Sequence, residues 1–295
     1  MRDGLAQVPI INALTVDVED YFQVSAFAPH IARSTWDSRE CRVESNVDRI
    51  LAMLSAKQTK ATFFTLGWLA ERYPLLVRRI VQEGHELASH GYGHERASDL
   101  TETAFFEDIR RAKSLLEDIS GVEVTGYRAP SFSIGESNLW AFDSLLRAGY
   151  RYSSSIYPIR HDHYGMPDSP RHVYQVRPGL LEVPITTVRL FKRNFPSSGG
   201  GYFRLLPYEL SRWMLNRVNS TERQPGIFYF HPWEIDTGQP RIAGISSKTR
   251  FRHYVNIGRT EKRLNRLLSD FSWGRMDQIF LGKEKTPLPS TVVTA

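Results

Sequence analysis

The sequence predicts an α/β protein in which a parallel sheet is built from strands that alternate with helices. Short apolar runs typical of buried strands alternate with segments in which apolar residues recur every three or four positions. Over 295 residues, 41% are hydrophobic and 24% are charged, which is typical of a globular chain. A single α/β barrel fits this length. We therefore expect one α/β domain with long loops on one side.

The first half of the chain alternates regularly between the two kinds of element. Apolar runs predict strands over residues 10–18, 61–66, 86–89, 125–129 and 150–154. Between them, apolar residues at helical spacing predict helices around residues 47–54, 75–82, 105–116 and 139–146. Gly84 and Gly121 follow two of these helices and are natural stops.

The second half combines further strands and helices with long irregular stretches. We expect strands over 181–190 and 227–230 and helices over 207–218 and 259–268. The segments 158–180 and 191–206 are rich in Pro, Gly, Ser, His and Arg without periodicity, which indicates surface loops. Residues 282–295 are polar with two prolines and are predicted to be a disordered tail. The expected domain therefore spans residues 1–281.

Composition excludes several classes of protein. Cys41 is the single cysteine, so a disulfide framework is excluded. No apolar run approaches the roughly 18 residues of a transmembrane helix, and the N-terminus lacks the apolar region of a signal peptide. We expect a cytoplasmic protein, including at the inner face of the membrane. The net charge of +6 comes from scattered residues, so nucleic-acid binding is not expected.

Three carboxylates within four residues follow the first predicted strand. Asp17, Glu19 and Asp20 repel one another, so folding requires a cation, a metal or shifted pKa values to offset the repulsion. The alternative interpretation is an acidic loop that caps a helix N-terminus.

Two histidines follow the third predicted strand. His90 and His94 would lie on one face of a helix and could bind a metal together. The two glycines between them, Gly91 and Gly93, favour a tight functional turn instead of a plain helix. A pair of surface histidines that meet by chance is the alternative.

Arg128 and His231 each stand at the carboxyl end of a predicted strand. Arg128 could pair with one of the N-terminal carboxylates, although an ordinary surface arginine before Pro130 is the alternative. His231 comes directly after the apolar run 227–230, where barrel enzymes keep catalytic groups. A core histidine bonded to a backbone carbonyl is the competing interpretation.

All four clusters stand at the carboxyl ends of predicted strands. In an α/β barrel these ends converge on one face, which would bring acids, three histidines and an arginine together. A metal held by two histidines and a carboxylate, with a base and an acid nearby, is suited to metal-assisted hydrolysis.

The order and content of these motifs resemble the polysaccharide deacetylase family (NodB homology, carbohydrate esterase 4). The resemblance covers residues 11–235. The stretch from Thr15 to Phe22 and the long C-terminal part resemble the subgroup of exosortase and exopolysaccharide loci, which is similar to the allantoinase-like and Helicobacter-type peptidoglycan deacetylase branch. The resemblance implies a distorted (β/α) barrel with long loops on the C-terminal face of the strands.

The resemblance also implies roles for individual residues. Asp17 matches the catalytic base, Arg128 the arginine that orients it, and His231 the general acid. His90 and His94 match the two histidine ligands of a divalent metal, for which zinc is expected.

This sequence departs from the family pattern in the acidic motif. The family has two adjacent acids with the second on the metal, whereas Val18 follows Asp17 here. The carboxylate ligand must therefore be Glu19 or Asp20, and the sequence leaves both open. Nearby residues are expected to contact substrate: Tyr92, Pro130, Phe132 and Trp233.

The function that the resemblance implies is hydrolysis of the N-acetyl groups of hexosamine units in a polysaccharide or its lipid-linked precursor, in exopolysaccharide biosynthesis. The expected partner is thus an N-acetylated glycan, and self-association is left open. One alternative is a hydrolase of a small cyclic amide, as in the allantoinase-like branch. The other is a non-catalytic glycan-binding module on the same fold.

Overall fold

The structure, a computed structural model, describes residues 9–161 and 165–282 and confirms the predicted α/β class. Its strands, numbered in chain order, are β1 (Ile11–Val18), β2 (Thr62–Thr65), β3 (Glu86–Ser89), β4 (Gly126–Tyr127), β5 (Tyr152–Ser153), β6 (Tyr174–Arg177), β7 (Leu180–Glu182), β8 (Thr187–Leu190), β9 (Arg193–Pro196), β10 (Ile227–Phe230) and β11 (Ser272–Gly274). Its helices are α1 (Val43–Ala56), α2 (Gly67–Arg72), α3 (Pro74–Gln82), α4 (Glu102–Ser120), α5 (Trp140–Arg147), α6 (Gly200–Leu205), α7 (Tyr208–Ser220), α8 (Ser247–Tyr254) and α9 (Ile257–Asp270).

A largely parallel sheet organises the fold. Its strands follow the order β10-β1-β2-β3-β4-β5-β7-β6, with β11 also pairing with β1. All these pairs are parallel except β6 with β7. In β1, every residue from Asn12 to Val18 is buried, which is typical of a parallel strand covered on both faces. The carboxyl ends of β10 and β1 to β5 therefore share one edge.

The sheet curves around an internal apolar cluster. Phe64 of β2, Tyr152 of β5 and Tyr229 of β10 belong to the same buried cluster, although β5 and β10 stand far apart in the strand order. Val183 and Ile185, which follow β7, fill the space between them. This enclosed cluster corresponds to the interior of the predicted distorted barrel. In the part of the chain that the structure describes, β10 and β6 end the hydrogen-bonded path.

Helices cover the outer face of the sheet. The apolar positions predicted to be helical in α1 are buried: Val47, Ile50, Leu51 and Leu54. Helix α4 is capped at both ends. At its N-terminus the hydroxyl of Thr101 accepts a hydrogen bond from the amide of Ala104, and at its C-terminus Gly121 adopts the left-handed conformation with φ 71°. Of the helices in the described ranges, none is both long and apolar enough to span a bilayer.

The prediction that residues 158–180 and 191–206 are surface loops is wrong in part. Residues 174–177 form β6, which turns at Pro178-Gly179 and pairs with β7. Residues 193–196 form β9, and α6 follows with Phe203 and Arg204 buried. The predicted strand 181–190 is two strands, β7 and β8, in different sheets. These elements are too short to carry a clear periodic pattern. The tail predicted over 282–295 lies, apart from Gly282, outside the described residues.

A buried carboxyl group joins β7 to the chain after β5. Glu182 is fully buried, and its Oε1 accepts hydrogen bonds from the amides of Ser155 at 2.9 Å and Ile156 at 2.8 Å. Burial raises the pKa of Glu182 to about 7 from its usual 4.5, although these hydrogen bonds oppose the shift. The folded protein therefore favours the protonated side chain up to near-neutral pH.

As pH rises, we expect the free energy of unfolding to decrease less in Glu182→Gln than in wild type. The unfolded chain releases this proton near pH 4.5 and the folded chain near pH 7, so the stabilisation is complete below pH 4.5 and is lost as pH rises to 7. The variant should gain on the order of 2–3 kcal/mol relative to wild type between pH 5 and pH 8 in urea unfolding. Exposed Glu123→Gln is the control and should show no such gain. Equal differences for Glu182→Gln at both pH values would contradict the expectation.

Candidate active site

Side chains from four strand ends meet at the carboxyl edge of the sheet. Asp17 lies in β1, His90 directly follows β3, Arg128 directly follows β4, and His231 directly follows β10. The structure thus brings together the clusters that the sequence places at strand ends. All of them lie in the interior except His231, whose side chain is 18% exposed. The site is therefore reached from the His231 side.

Arg128 forms a buried ion pair with Asp17. Its Nη1 lies 2.6 Å from Oδ1 of Asp17 and 2.8 Å from the hydroxyl of Thr15, and both charged groups are buried. Nε and Nη2 donate to the backbone oxygen and the hydroxyl of Ser154. The guanidinium also lies 4.1 Å from the ring centre of Phe64. These contacts fix Asp17 with its second oxygen, Oδ2, facing the site.

Glu19, His90 and His94 form a cluster with the donor set of a metal centre. One ligand atom from each lies within 4.8 Å of the others. Oε2 of Glu19 is buried and 2.6 Å from Nε2 of His94, yet it has no hydrogen-bond partner of normal geometry. A divalent cation between these atoms would satisfy the orphaned oxygen, and two imidazoles with a carboxylate suit zinc. The residues therefore fit the implied metal.

The two histidines differ in how they are held. Nδ1 of His90 lies 2.8 Å from the backbone oxygen of Arg128, so this nitrogen donates and Nε2 keeps its lone pair for a ligand. Burial lowers the pKa of His90 to about 4, which keeps the ring neutral as a metal ligand must be.

The segment that carries both histidines is a tight turn. Gly91 has φ 74° and His94 has φ 56°, so the helix considered for this pair is not formed. The Asp108 carboxylate accepts a hydrogen bond from the Tyr92 amide. A Cβ at Gly93 would overlap the Arg33 guanidinium. The glycines thus allow the tight turn that their presence predicts.

Asp20 points away from the histidines. Its carboxylate accepts hydrogen bonds from the backbone amides of Tyr21, Arg42 and Val43, which begin a 3-10 turn and helix α1. Burial raises the pKa of Asp20 despite these bonds. Of the two alternatives left open by the sequence, the geometry places Glu19 beside the histidines and gives Asp20 the capping role.

His231 is held by a buried carboxylate. Its Nδ1 lies 2.7 Å from Oε1 of Glu234, whose Oε2 accepts a hydrogen bond of 2.6 Å from Nε of Arg204. His231 Nε2 is then directed into the site, 3.4 Å from Glu19 and 3.9 Å from Asp17. Burial alone would lower the pKa of His231, but Glu19 and Glu234 raise it to about 9. The ring is therefore protonated at neutral pH.

Trp233 packs beside His231 and contacts Glu19. Its indole stacks on His231 with ring centres 5.2 Å apart, and its Nε1 donates to Oε1 of Glu19 at 3.1 Å. The other face stacks on His253 at 4.2 Å. Burial would raise the pKa of Glu19, but His94 and His231 more than offset this and leave it well below its usual value. Glu19 is therefore ionised.

The remaining residues predicted to bind substrate lie in packed surroundings. The Tyr92 hydroxyl donates to Glu71, and the Arg111 guanidinium covers its ring, so this side chain contacts α2 and α4. Pro130 is buried and begins a 3-10 turn. Phe132 is 7% exposed and packs in the internal cluster against Tyr229. The structure does not test these three residues as substrate contacts, so they stay predictions.

Sequence reasoning missed two supporting residues. Glu234 stands three positions after His231, and this spacing is a signal that the pair lies on one turn. Arg204 carries no such signal, because it lies in a segment without periodicity and is buried only by the fold.

Comparison with known proteins finds a matching family for each of two consecutive segments of the chain. Residues 28–153 match the family "Polysaccharide deacetylase", and residues 154–281 match the family "Domain of unknown function (DUF3473)". A peptidoglycan-N-acetylglucosamine deacetylase of Bacillus cereus is 35% identical over 94 residues, which is 32% of this chain and 34% of that protein. A peptidoglycan deacetylase of Helicobacter pylori is 30% identical over 113 residues, which is 38% of each. The chain thus spans about a third of the length of these relatives.

The fold has a counterpart among solved structures. A crystal structure from Mycobacterium smegmatis, of a protein provisionally assigned as a polysaccharide deacetylase, superposes with a TM-score of 0.63. It covers 98% of this chain and 96% of its own, at 20% sequence identity. This likeness supports the α/β barrel architecture.

The fold is an α/β barrel of the polysaccharide deacetylase type, and at its carboxyl edge Glu19, His90 and His94 form a cluster that could hold a metal ion. The match of residues 28–153 to the polysaccharide deacetylase family agrees with the resemblance that the order of the motifs indicates. Members of this family are hydrolases that act on N-acetyl amide bonds.

Removal of the Arg128 guanidinium should destabilise the fold strongly. Arg128→Met leaves the buried Asp17 carboxylate without its cation, so we expect a loss of about 3–5 kcal/mol in urea unfolding. Arg110, which is exposed and pairs with Glu107, provides the control, and Arg110→Met should change stability by less than about 0.5 kcal/mol. A loss for Arg128→Met as small as that of the control would contradict the structural role assigned to the pair.

Proposed function

We propose that this protein is a metal-dependent N-deacetylase that hydrolyses the N-acetyl groups of hexosamine units in a polysaccharide or its lipid-linked precursor. One observation carries the proposal. Beside the cluster of Glu19, His90 and His94 lie an oriented carboxylate, Asp17, and an oriented imidazole, His231, whose Nε2 is 3.4 Å from Glu19 and 3.9 Å from Asp17. A base, a metal centre and an acid are the groups that amide hydrolysis requires.

The proposed metal centre consists of Glu19, His90 and His94, with zinc as the expected ion. When bound, the metal supplies Lewis acidity for the amide carbonyl and lowers the pKa of water towards neutrality. Trp233 holds Glu19 from one side through its indole N–H, and the Arg128 backbone oxygen orients His90. These partners fix the ligand atoms before any ion binds.

Asp17 is proposed as the general base. Arg128 occupies Oδ1, so Oδ2 remains free to take a proton from the attacking water. The positive charge of the guanidinium also compensates the negative charge of the buried carboxylate through the ion pair. The role assigned to Arg128 is therefore to position Asp17 without contacting substrate.

His231 is proposed as the general acid. Glu234 binds its Nδ1, so the proton on Nε2 points into the site towards the departing nitrogen. An amine must gain a proton to leave, and acetate and the free amine are then the two products. Arg204 neutralises the second oxygen of Glu234 and thereby holds this arrangement in place.

The choice of polymer rests on the comparisons and on the resemblance of the acidic motif. Relatives named as peptidoglycan deacetylases support an N-acetylated glycan as substrate. We further propose a role in exopolysaccharide biosynthesis, because of the subgroup that the stretch from Thr15 to Phe22 resembles. The expected cytoplasmic location stays a prediction.

Asp17→Asn should strongly reduce hydrolysis, and because it also leaves the buried Arg128 without its anion, activity is compared under conditions where circular dichroism shows that the variant is folded. Loss of a general base lowers the turnover number by about 10²–10⁴-fold. The measurement is acetate release from N-acetylhexosamine oligosaccharides by zinc-loaded protein. Exposed Asp118→Asn is the matched control and should keep wild-type activity.

The same assay distinguishes the alternatives. Absence of acetate from folded, zinc-loaded wild type on several such glycans would overturn the proposal. Hydrolysis of a cyclic amide by that protein would then identify the allantoinase-like reaction, and glycan binding without turnover would identify a binding module.

A further inference from the structure

An exposed hairpin carries aromatic and cationic side chains at its tip. Strands β8 and β9 form a separate two-stranded sheet joined by Phe191 and Lys192. Phe191 is 94% exposed and Phe195 is 41% exposed. Residues 187–196 form this projecting element, the tip hairpin.

The charge on the tip hairpin has a single sign. Arg189, Lys192 and Arg193 are exposed, and in the described part of the chain none of them forms an ion pair with an acidic side chain. The sequence contains no acidic residue between Glu182 and Glu209. Among the residues that the structure describes, these three cations therefore lie near the exposed aromatic rings without an acidic partner.

The turn residues are poorly suited to the backbone that they adopt. Phe191 has φ 48° and Lys192 has φ 62°, the left-handed conformation of a two-residue hairpin turn. Asn-Gly is preferred at such a turn, because other side chains are strained there. Phe and Lys are thus retained at a cost to the fold, which indicates that their side chains serve another purpose.

The base of the tip hairpin is anchored while its end projects. Val188 is fully buried, and β8 packs against α7. The Asn194 amide donates to the backbone oxygens of Pro158 at 2.9 Å and Pro167 at 3.2 Å. The projecting side chains are therefore presented on a fixed support.

We propose that the tip hairpin is a membrane-docking element that binds the surface of an anionic phospholipid bilayer. Its cations complement the negative charge of phosphatidylglycerol-type headgroups, and the exposed Phe191 would enter the interface between headgroups and acyl chains. A convex tip with one nearly bare aromatic ring suits a deformable lipid surface, whereas a folded acidic protein would have to offer a matching cavity. The inference does not rest on the proposed hydrolysis.

Vesicle binding by the full chain tests this proposal. Wild type should sediment with vesicles of phosphatidylcholine and phosphatidylglycerol, bind vesicles of phosphatidylcholine alone far more weakly, and be released by salt. Lys192→Gln combined with Arg193→Gln should weaken binding about 25-fold, at about fivefold for each cation. Arg259→Gln combined with Lys262→Gln makes the same charge change on exposed positions of α9 and should leave binding unchanged.

The variant Phe191→Gly tests whether the Phe191 ring enters the membrane without disturbing the fold. Glycine accepts the left-handed turn, so this variant should keep or raise the thermal midpoint while vesicle binding falls at least about fivefold. Leu75→Ser is the control, because Leu75 is 71% exposed on α3 and should not affect binding. Both variants should retain acetate release from soluble oligosaccharides if wild type has it.

Three outcomes would overturn the proposal. Wild type could fail to bind the anionic vesicles, or Phe191→Gly could bind them as wild type does. Retention on an acidic polymer together with no vesicle binding would instead indicate a polyanionic partner.

Discussion

The ion pair between Arg128 and Asp17 sets the geometry on which the rest of the site depends. It joins β4 to β1, which have two other strands between them. In a flat sheet three strand spacings would separate these ends by ~14 Å, farther than one arginine side chain reaches. A contact of 2.6 Å therefore requires the sheet to curve, and the curvature places the histidine turn and the end of β10 around the same point. Because both charges are buried, each is costly without the other. The pair thus links the folding of the barrel to the orientation of the proposed base.

The site combines residues from regions that sequence comparison treats separately. Asp17 and Glu19 precede the deacetylase match, His90, His94 and Arg128 lie within it, and His231 with its supports lies in the segment of unknown function. The structure unites these regions, because β10 from the later segment pairs with β1 and β7 pairs with β5. The later segment thus completes the sheet and supplies His231, Glu234 and Arg204 to the site. In the proposed mechanism, the segment of unknown function therefore supplies the general acid and its supporting residues.

The sequence predicts the features that periodicity and strand order encode. The strand 227–230 is confirmed to the residue, and His90, Arg128 and His231 each directly follow a strand, at ends that share one edge of the sheet as expected. Local pattern could not predict β6, β9 or α6, because short antiparallel strands and single-turn helices contain too few residues to show a period. The sequence could not predict which of Glu19 and Asp20 lies beside the histidines, for a different reason. The two adjacent carboxylates are chemically alike, and the backbone amides of residues 21, 42 and 43, which bind Asp20, are brought to it only by the fold.

Zinc titration of two neighbouring variants tests the central claim most directly, namely that the metal centre is built on Glu19 and the two histidines. The measurement is calorimetry of metal-free Glu19→Gln and Asp20→Asn beside wild type. The account predicts that Glu19→Gln lowers zinc affinity by at least about 100-fold. Asp20→Asn should keep wild-type affinity and lower the thermal midpoint, since its carboxylate caps helix α1. Unchanged affinity in Glu19→Gln together with loss of binding in Asp20→Asn would contradict the proposed metal centre.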